Sequence, residues 1–243
     1  MLLSQLGALS ENPRMAIISI MLMVPSLLIA LTVHEYAHGR MALALGDKTA
    51  LMYGRLSLNP LHHLDPIGAL MLLLFGFGFA KPVPVNMRNV SKVSYKTGTV
   101  LISLAGPLSN LILAFIGVFG LLMTDTITQN LYQIPISTII YYSLPLGSNL
   151  AIIIFTFFQY FSLLNIGLAV FNLIPIPPLD GSRILTVFLP GKAQMWFHKY
   201  EHIIQIVLFA LLWMNVLNGI LVLARNFIFN GMVDLISLLP FIK

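Results

Sequence analysis

Residues 15–38 read MAIISIMLMVPSLLIALTVHEYAH, and the reading of that stretch decides the fold. No charge interrupts it from Met15 to Val33. A bilayer takes about 20 predominantly apolar residues in a helix, so the run predicts a membrane-spanning helix over residues 13 to about 44. Asn12-Pro13 opens it and Gly46-Asp47 closes it. The run is too long for the apolar region of a cleaved leader, and it leads straight into His34, Glu35 and His38. On a helix, positions four apart differ by about 6 Å along the axis and roughly 40° around it. His34 and His38 therefore share one face, at a spacing that chelates zinc. Glu35 lies beside them, placed to take a proton from a water on the metal. A carboxylate at membrane depth costs roughly 2.5–3.5 kcal/mol on insertion scales, so such groups are rarely there without a function.

The rest of the composition agrees. Of 243 residues, 58% are hydrophobic and 9% charged, with mean hydropathy +0.92; a soluble domain has about 25% charged residues. The expected class is an all-α, polytopic integral membrane protein, with about four full spanning helices and a re-entrant or hairpin element. The net charge of +5 is not clustered, so no nucleic-acid partner is expected; the lipid bilayer is. The chain has no cysteine, which excludes disulfides and thiolate ligands. Any metal must rest on His, Asp or Glu.

Further spans are expected at 97–123, 148–174 and 202–224. Residues 45–65 read as a polar connection and 124–147 as a loop. A short polar helix is expected around 192–200, and an amphipathic helix lying on the membrane at 227–242. Residues 66–80 are apolar but short and broken by glycines, so 66–86 read as a re-entrant or interfacial element. Within it, 75–86 look like a hairpin or extended loop. All of residues 1–243 read as one integral-membrane domain, with a core of about 14–190 and an accessory part at 191–243. Lys and Arg concentrate in 39–65, 81–96 and 176–200, against Arg14, Arg225 and Lys243 elsewhere. The richer side is expected to be cytoplasmic. That places the chain in the cell membrane with His34, His38 and Asp180 toward its cytoplasmic half.

A catalytic zinc takes three protein ligands and keeps a position for water. Among the acidic residues, only Asp180 follows a spanning helix on the same side, within the turn-rich Pro175-Ile-Pro177-Pro178-Leu-Asp180-Gly181. It reads as the third ligand, as the N-cap of a helix over 181–189, or as both.

These residues carry a resemblance. His34-Glu35-Tyr36-Ala37-His38, followed by Asn172-Leu-Ile-Pro175-Ile-Pro177-Pro178-Leu-Asp180-Gly181, resembles the site-2 protease family of intramembrane zinc metalloproteases. Asn59-Pro60-Leu-His-His-Leu-Asp65-Pro66, Ala80-Lys-Pro-Val-Pro-Val-Asn86 and Gly106-Pro107-Leu-Ser-Asn110 resemble its core. Larger members carry PDZ or CBS domains, and neither is legible here. The resemblance implies one zinc per chain on His34, His38 and Asp180, with Glu35 as catalytic base. It also implies a transmembrane protein as substrate, cut within or beside its membrane segment.

Asn172 and Asn110 are candidates for donating hydrogen bonds to an oxyanion or to substrate backbone; the other reading of both is interhelical packing. Residues 75–86 offer either a strand edge to an unwound substrate or a structural plug. His198-Lys-Tyr-Glu201-His202 has an inverted zinc-protease pattern, but it sits in a polar region at the start of a helix. His62 and His63 read as interfacial. Two other functions remain on the sequence alone: an intramembrane metal transporter, which would more often show inverted repeats, and a non-catalytic relative that binds membrane segments.

Overall fold

The computed structural model describes residues 13–63, 65–75, 81–132, 148–240 and 242. These residues are helical or irregular, with no strand among them. The first apolar run forms α1 (Pro13–Ala44), which continues through Pro25. It is followed by α2 (Thr49–Met52), a 3₁₀ turn at Pro60–His62, α3 (Pro66–Phe75) and a second 3₁₀ turn at Met87–Asn89. Next come α4 (Tyr95–Tyr132) and α5 (Ser148–Asn172). The chain ends with α6 (Asp180–Thr186), α7 (Gly191–Lys199), α8 (Glu201–Trp213) and α9 (Asn218–Ser237). Four stretches are long and apolar enough to cross a membrane: Ile17–Ala44, Tyr95–Leu131, Leu150–Asn172 and Asn218–Ser237.

Helices α1, α4 and α5 pack on one another and form the centre of the molecule. Met23, Leu27, Ala30 and Leu31 of α1 meet Leu164 and Leu168 of α5 in a buried cluster. Small residues let α4 approach α5 closely: a Cβ on Gly117 would lie 3.0 Å from the Phe161 ring, and one on Gly120 2.6 Å from the Phe158 ring. Outward, Ile112 and Ile116 of α4 and Ile220, Leu223 and Phe227 of α9 stay exposed, as expected of a surface that faces lipid.

Three boundaries differ from the sequence reading. Helix α4 runs on to Tyr132, so 124–132 are helical; residues 133–147 lie outside the described chain. The polar residues there do not break the helix, because their side chains bond back into it. Thr124 Oγ1 and Thr128 Oγ1 donate to the carbonyls four residues earlier, both at 2.7 Å. The expected span at 202–224 is two helices. It breaks after Trp213, where Asn215 adopts φ 57°, a left-handed conformation that ends helices and that Asn tolerates better than most residues. The fourth stretch long and apolar enough to cross a membrane is α9 instead, and it takes in residues 227–237, where the sequence reading expects the start of an interfacial helix. Phe229, Met232, Val233 and Ile236 pack against Val118, Phe119, Leu122 and Met123 of α4. Arg225 falls inside this span. Of the 75–86 element, residues 76–80 lie outside the described chain. Residues 81–86 run without regular structure into the turn at Met87, as the extended-loop reading expects.

That 81–92 segment is tied to the end of α1. Gly46 takes φ +111°, and a Cβ there would lie 2.6 Å from Ser91 Oγ, so glycine is required on both counts. The amides of Ser91 and Lys92 donate to Leu45 O at 3.1 and 3.3 Å, and Lys92 Nζ donates to Ala44 O at 2.8 Å. The last carbonyls of α1 are thereby capped. Asp47, which is buried, accepts from the Thr49 amide at 3.0 Å, the Asn86 amide at 2.7 Å and Asn89 Nδ2 at 3.2 Å, and from the Thr49 hydroxyl.

Burial pushes the Asp47 carboxyl up, but these donors outweigh it and hold the group below its ordinary value of 3.8. A carboxyl depressed by folding contributes stability above its unfolded value and loses it as pH falls through the folded one. Asp47→Ala should therefore destabilise the detergent-solubilised protein by about 1–3 kcal/mol at neutral pH. The gap to the native protein should narrow below about pH 4. Thermal unfolding followed by tryptophan fluorescence measures both. Equal stability at pH 7 would show that the clamp contributes nothing.

Candidate metal centre

His34 and His38 lie on the inner face of α1, 6% and 8% exposed. Their Nε2 atoms stand 3.1 Å apart. Asp180 Oδ2 is 3.1 Å from the first and 3.2 Å from the second. Among the described residues this is the one group of three His, Asp or Glu side chains whose ligand atoms gather, all within 4.8 Å.

Asp180 reaches the pair because α5 stops at Asn172 and the chain turns back through residues 173–179. A Cβ on Gly181 would run into Leu173 O and would lie 2.6 Å from Ile174 O. Only glycine lets α6 start so close to the end of α5. The N-cap of α6 is Leu179, and Asp180 is its first helical residue. The capping reading of Asp180 therefore does not hold: its carboxylate turns to the imidazoles, and the helix ends at Thr186.

Hydrogen-bond partners set the tautomer of both imidazoles. His38 Nδ1 lies 2.6 Å from Ile102 O, a carbonyl that can only accept, so Nδ1 carries the hydrogen. His34 Nδ1 lies 2.6 Å from Asn110 Oδ1, again an acceptor. Each neutral ring then presents a lone pair at Nε2. Two lone pairs and a carboxylate oxygen converge on one buried point. Without a cation this arrangement is repulsive between the nitrogens; with one it is a ligand set. Tetrahedral bonds of about 2.0–2.1 Å place ligand atoms about 3.3 Å apart, close to the three separations observed. Space is also kept clear. A Cβ on Gly106 of α4 would collide with His38 Nε2 and lie 2.6 and 2.7 Å from His34 Cε1 and Nε2. The residues fit a zinc ion in donor type, tautomer, spacing and room.

Glu35 stands beside the centre, with Oε2 accepting from the Val83 amide at 2.8 Å. His34, Glu35, His38 and Asp180 line a cavity of about 670 Å³, whose other walls include Leu27, Leu31 and Leu168. Val83 and Val85 border it, as does Asn172. Asn172 Nδ2 donates to Leu168 O at 3.0 Å. Asn110 is fully buried and does not line the cavity. Both of its described amide donations go to protein: Ala30 O at 3.1 Å and Asn165 Oδ1 at 2.8 Å.

The remaining histidines stay apart. The chain breaks at Tyr200, between α7 and α8, so His198 and His202 do not share one helix. His198 is exposed and lies 3.9 Å from Glu201. His63 is buried with Nε2 on Ser57 O at 2.7 Å, and His62 Nδ1 lies 3.2 Å from Gly54 O; neither lines the cavity. The sequence reading missed three contributors. Ile102 acts only through its carbonyl and Val83 only through its amide, which no side-chain pattern reveals. Asn165 was legible as an isolated polar residue inside an apolar span.

Comparison with known proteins finds one family and two relatives. The model of a family described as "Peptidase family M50" matches residues 22–215. A Bacillus subtilis protein named "Putative zinc metalloprotease YwhC" is 40% identical over 190 residues, covering 77% of this chain and 79% of the relative. A Mycolicibacterium smegmatis protein named "Putative zinc metalloprotease Rip2" is 29% identical over 178 residues, covering 71% of this chain and 59% of the relative. No solved structure matches significantly.

The clearance over the imidazoles is open to test. Gly106→Ala should force the two rings apart and weaken zinc binding at least about tenfold, on the scale of losing a supporting contact to a ligand. Competition with a chromogenic chelator measures it. Native affinity in the alanine variant would mean that the space over Nε2 is not used.

Proposed function

The chain belongs to peptidase family M50, the site-2 proteases, and on that premise we propose that it hydrolyses peptide bonds in or beside the membrane segments of other membrane proteins. It is a multi-pass membrane protein of the zinc metalloprotease kind. The observation that carries the finer reading is the convergence of His34, His38 and Asp180 within 4.8 Å, with Glu35 beside them on the wall of one cavity.

His34, His38 and Asp180 hold one zinc per chain. When bound, zinc lowers the pKa of a water toward about 7 and polarises a carbonyl. Glu35 is the general base: it takes the proton of the attacking water and passes it to the leaving amine, a role worth about 10²–10⁴ in rate. The Val83 amide keeps its carboxylate in place at 2.8 Å. Asn172 lies on the cavity wall, and the amide hydrogen that Leu168 O does not take is the one assigned to the oxyanion. Asn110 has another role, because its described donations are spent on Ala30 and Asn165; it orients His34. Leu27, Leu31 and Leu168 give the cavity an apolar wall for the side chains of a membrane segment. A substrate helix hides its peptide bonds, so it must unwind locally, and the 81–86 segment is the backbone beside which the unwound stretch lies.

Glu35→Gln should keep zinc and fold, because glutamine still offers an oxygen to the Val83 amide, but it cannot take the proton. Cleavage of a model membrane substrate in liposomes should fall about 10²–10⁴-fold. His34→Ala and Asp180→Ala should lose zinc, while His198→Ala and His202→Ala keep both zinc and activity. Normal turnover by Glu35→Gln would end this mechanism. Zinc loss confined to His202→Ala would move the centre elsewhere.

The basic residues of 39–65, 81–96 and 176–200 put the site toward the cytoplasmic side of the cell membrane. A cysteine at position 130 should react with an impermeant reagent outside intact cells, and one at position 90 should not. The reverse pattern would invert the topology.

A further inference from the structure

The tautomer of His38 is set by a backbone carbonyl in one step. That of His34 is not: its partner is an amide side chain, which could face it with either end. Turned the wrong way, Asn110 would offer His34 a donor. The ring would then carry its hydrogen on Nε2, pointing at the metal position, and the ligand would be lost. Something must hold Asn110 with its oxygen toward His34.

Two acceptors do so. Ala30 O lies 3.1 Å from Asn110 Nδ2, and Asn165 Oδ1 lies 2.8 Å from the same atom. Ala30 O is a carbonyl and can only accept. Asn165 is itself an amide, and its orientation needs its own reference. That reference is Phe161 O, which accepts from Asn165 Nδ2 at 2.8 Å. With nitrogen committed to Phe161, only oxygen is left to face Asn110. Both asparagines are fully buried, so water cannot substitute for a lost partner. A reversed Asn110 would set its oxygen against two acceptors at once.

We infer that Asn165 is a positioning residue for the metal centre: together with the Ala30 carbonyl it holds Asn110 and so fixes the tautomer of His34, and the Phe161 carbonyl on α5 thereby helps keep the hydrogen on Nδ1 and the lone pair of Nε2 toward the zinc. The inference rests on the zinc reading of the triad and adds to it a residue 55 positions from Asn110 in sequence. It differs from a plain packing role. Two buried asparagines would join α1, α4 and α5 whichever way their amides pointed, and loss of such a contact would lower stability without selecting a nitrogen of His34.

The test uses zinc affinity, by chelator competition on the purified full chain, with thermal stability measured beside it. Asn165→Leu should weaken zinc about tenfold, and Asn110→Ala about 10–100-fold. Asn165→Leu should add no further loss to Asn110→Ala, since the relay is already cut. Asn165→Ser is the informative rescue. Its hydroxyl can donate to the carbonyl four residues back, as Ser162 does to Phe158 O at 2.6 Å, and still accept from Asn110. Asn165→Ser should therefore bind zinc more tightly than Asn165→Leu. Asn165→Ala replaces the leucine variant if that does not fold. Native affinity in Asn165→Leu or Asn165→Ala, losses that multiply in the double variant, or an Asn165→Ser affinity no better than that of Asn165→Leu would each overturn the inference. A native protein that binds no zinc would instead remove the reading beneath it.

Discussion

Three electron-rich atoms, the Nε2 atoms of His34 and His38 and a carboxylate oxygen of Asp180, converge at about 3.1–3.2 Å inside a bundle of membrane-length helices. Everything else in the molecule serves to make that convergence tolerable. Two imidazoles that turn their lone pairs on each other are stable only if their other nitrogens are held by acceptors and a cation balances the centre. Ile102 O and Asn110 Oδ1 meet the first condition. The zinc we assign meets the second. A hydrogen on either Nε2 would remove the donor, which is why the acceptors behind the rings matter as much as the rings.

The fold brings these atoms together from three directions. α1 supplies the imidazoles, and α4 passes close enough to lend carbonyl and amide because Gly106 carries no side chain. The chain after α5 doubles back over Gly181 to deliver Asp180. At the other end of the site, the Asp47 clamp and the last carbonyls of α1 hold residues 86–92 of the 81–92 segment, and the start of that segment presents the Val83 amide to Glu35. Glu35 and the His34–His38–Asp180 group are thus held by separate devices, one at the end of α1 and one among α1, α4 and α5. Disturbing one need not disturb the other, and the variants proposed above divide along that line.

Much of this was legible in the sequence. Apolar length alone gave the spans at α1, α4 and α5, and the helical spacing of His34 and His38 gave the shared face. The acidic inventory narrowed the third position to Asp180. What failed was local. The break at Asn215 depends on one residue in a left-handed conformation, within a run whose hydropathy is continuous. The fourth span consequently lies at 218–237 and not at 202–224. The extension of α4 to Tyr132 depends on threonine hydroxyls bonding back to their own helix, which composition reads as polar and therefore as loop. The capping reading of Asp180 was reasonable by residue type, and only the path of 173–179 decides against it. Asn110 was visible as a polar residue in a span, but its partners lie on two other helices, and no spacing within one helix predicts them.

The most direct measurement of the central claim is the position of the metal itself. Crystals of the purified protein, with data collected on both sides of the zinc absorption edge, would place it by anomalous difference. The account predicts one zinc peak per chain, within bonding distance of His34 Nε2, His38 Nε2 and an Asp180 carboxylate oxygen. A peak at His198 and His202, or a zinc that leaves Asp180 unbound, would contradict it.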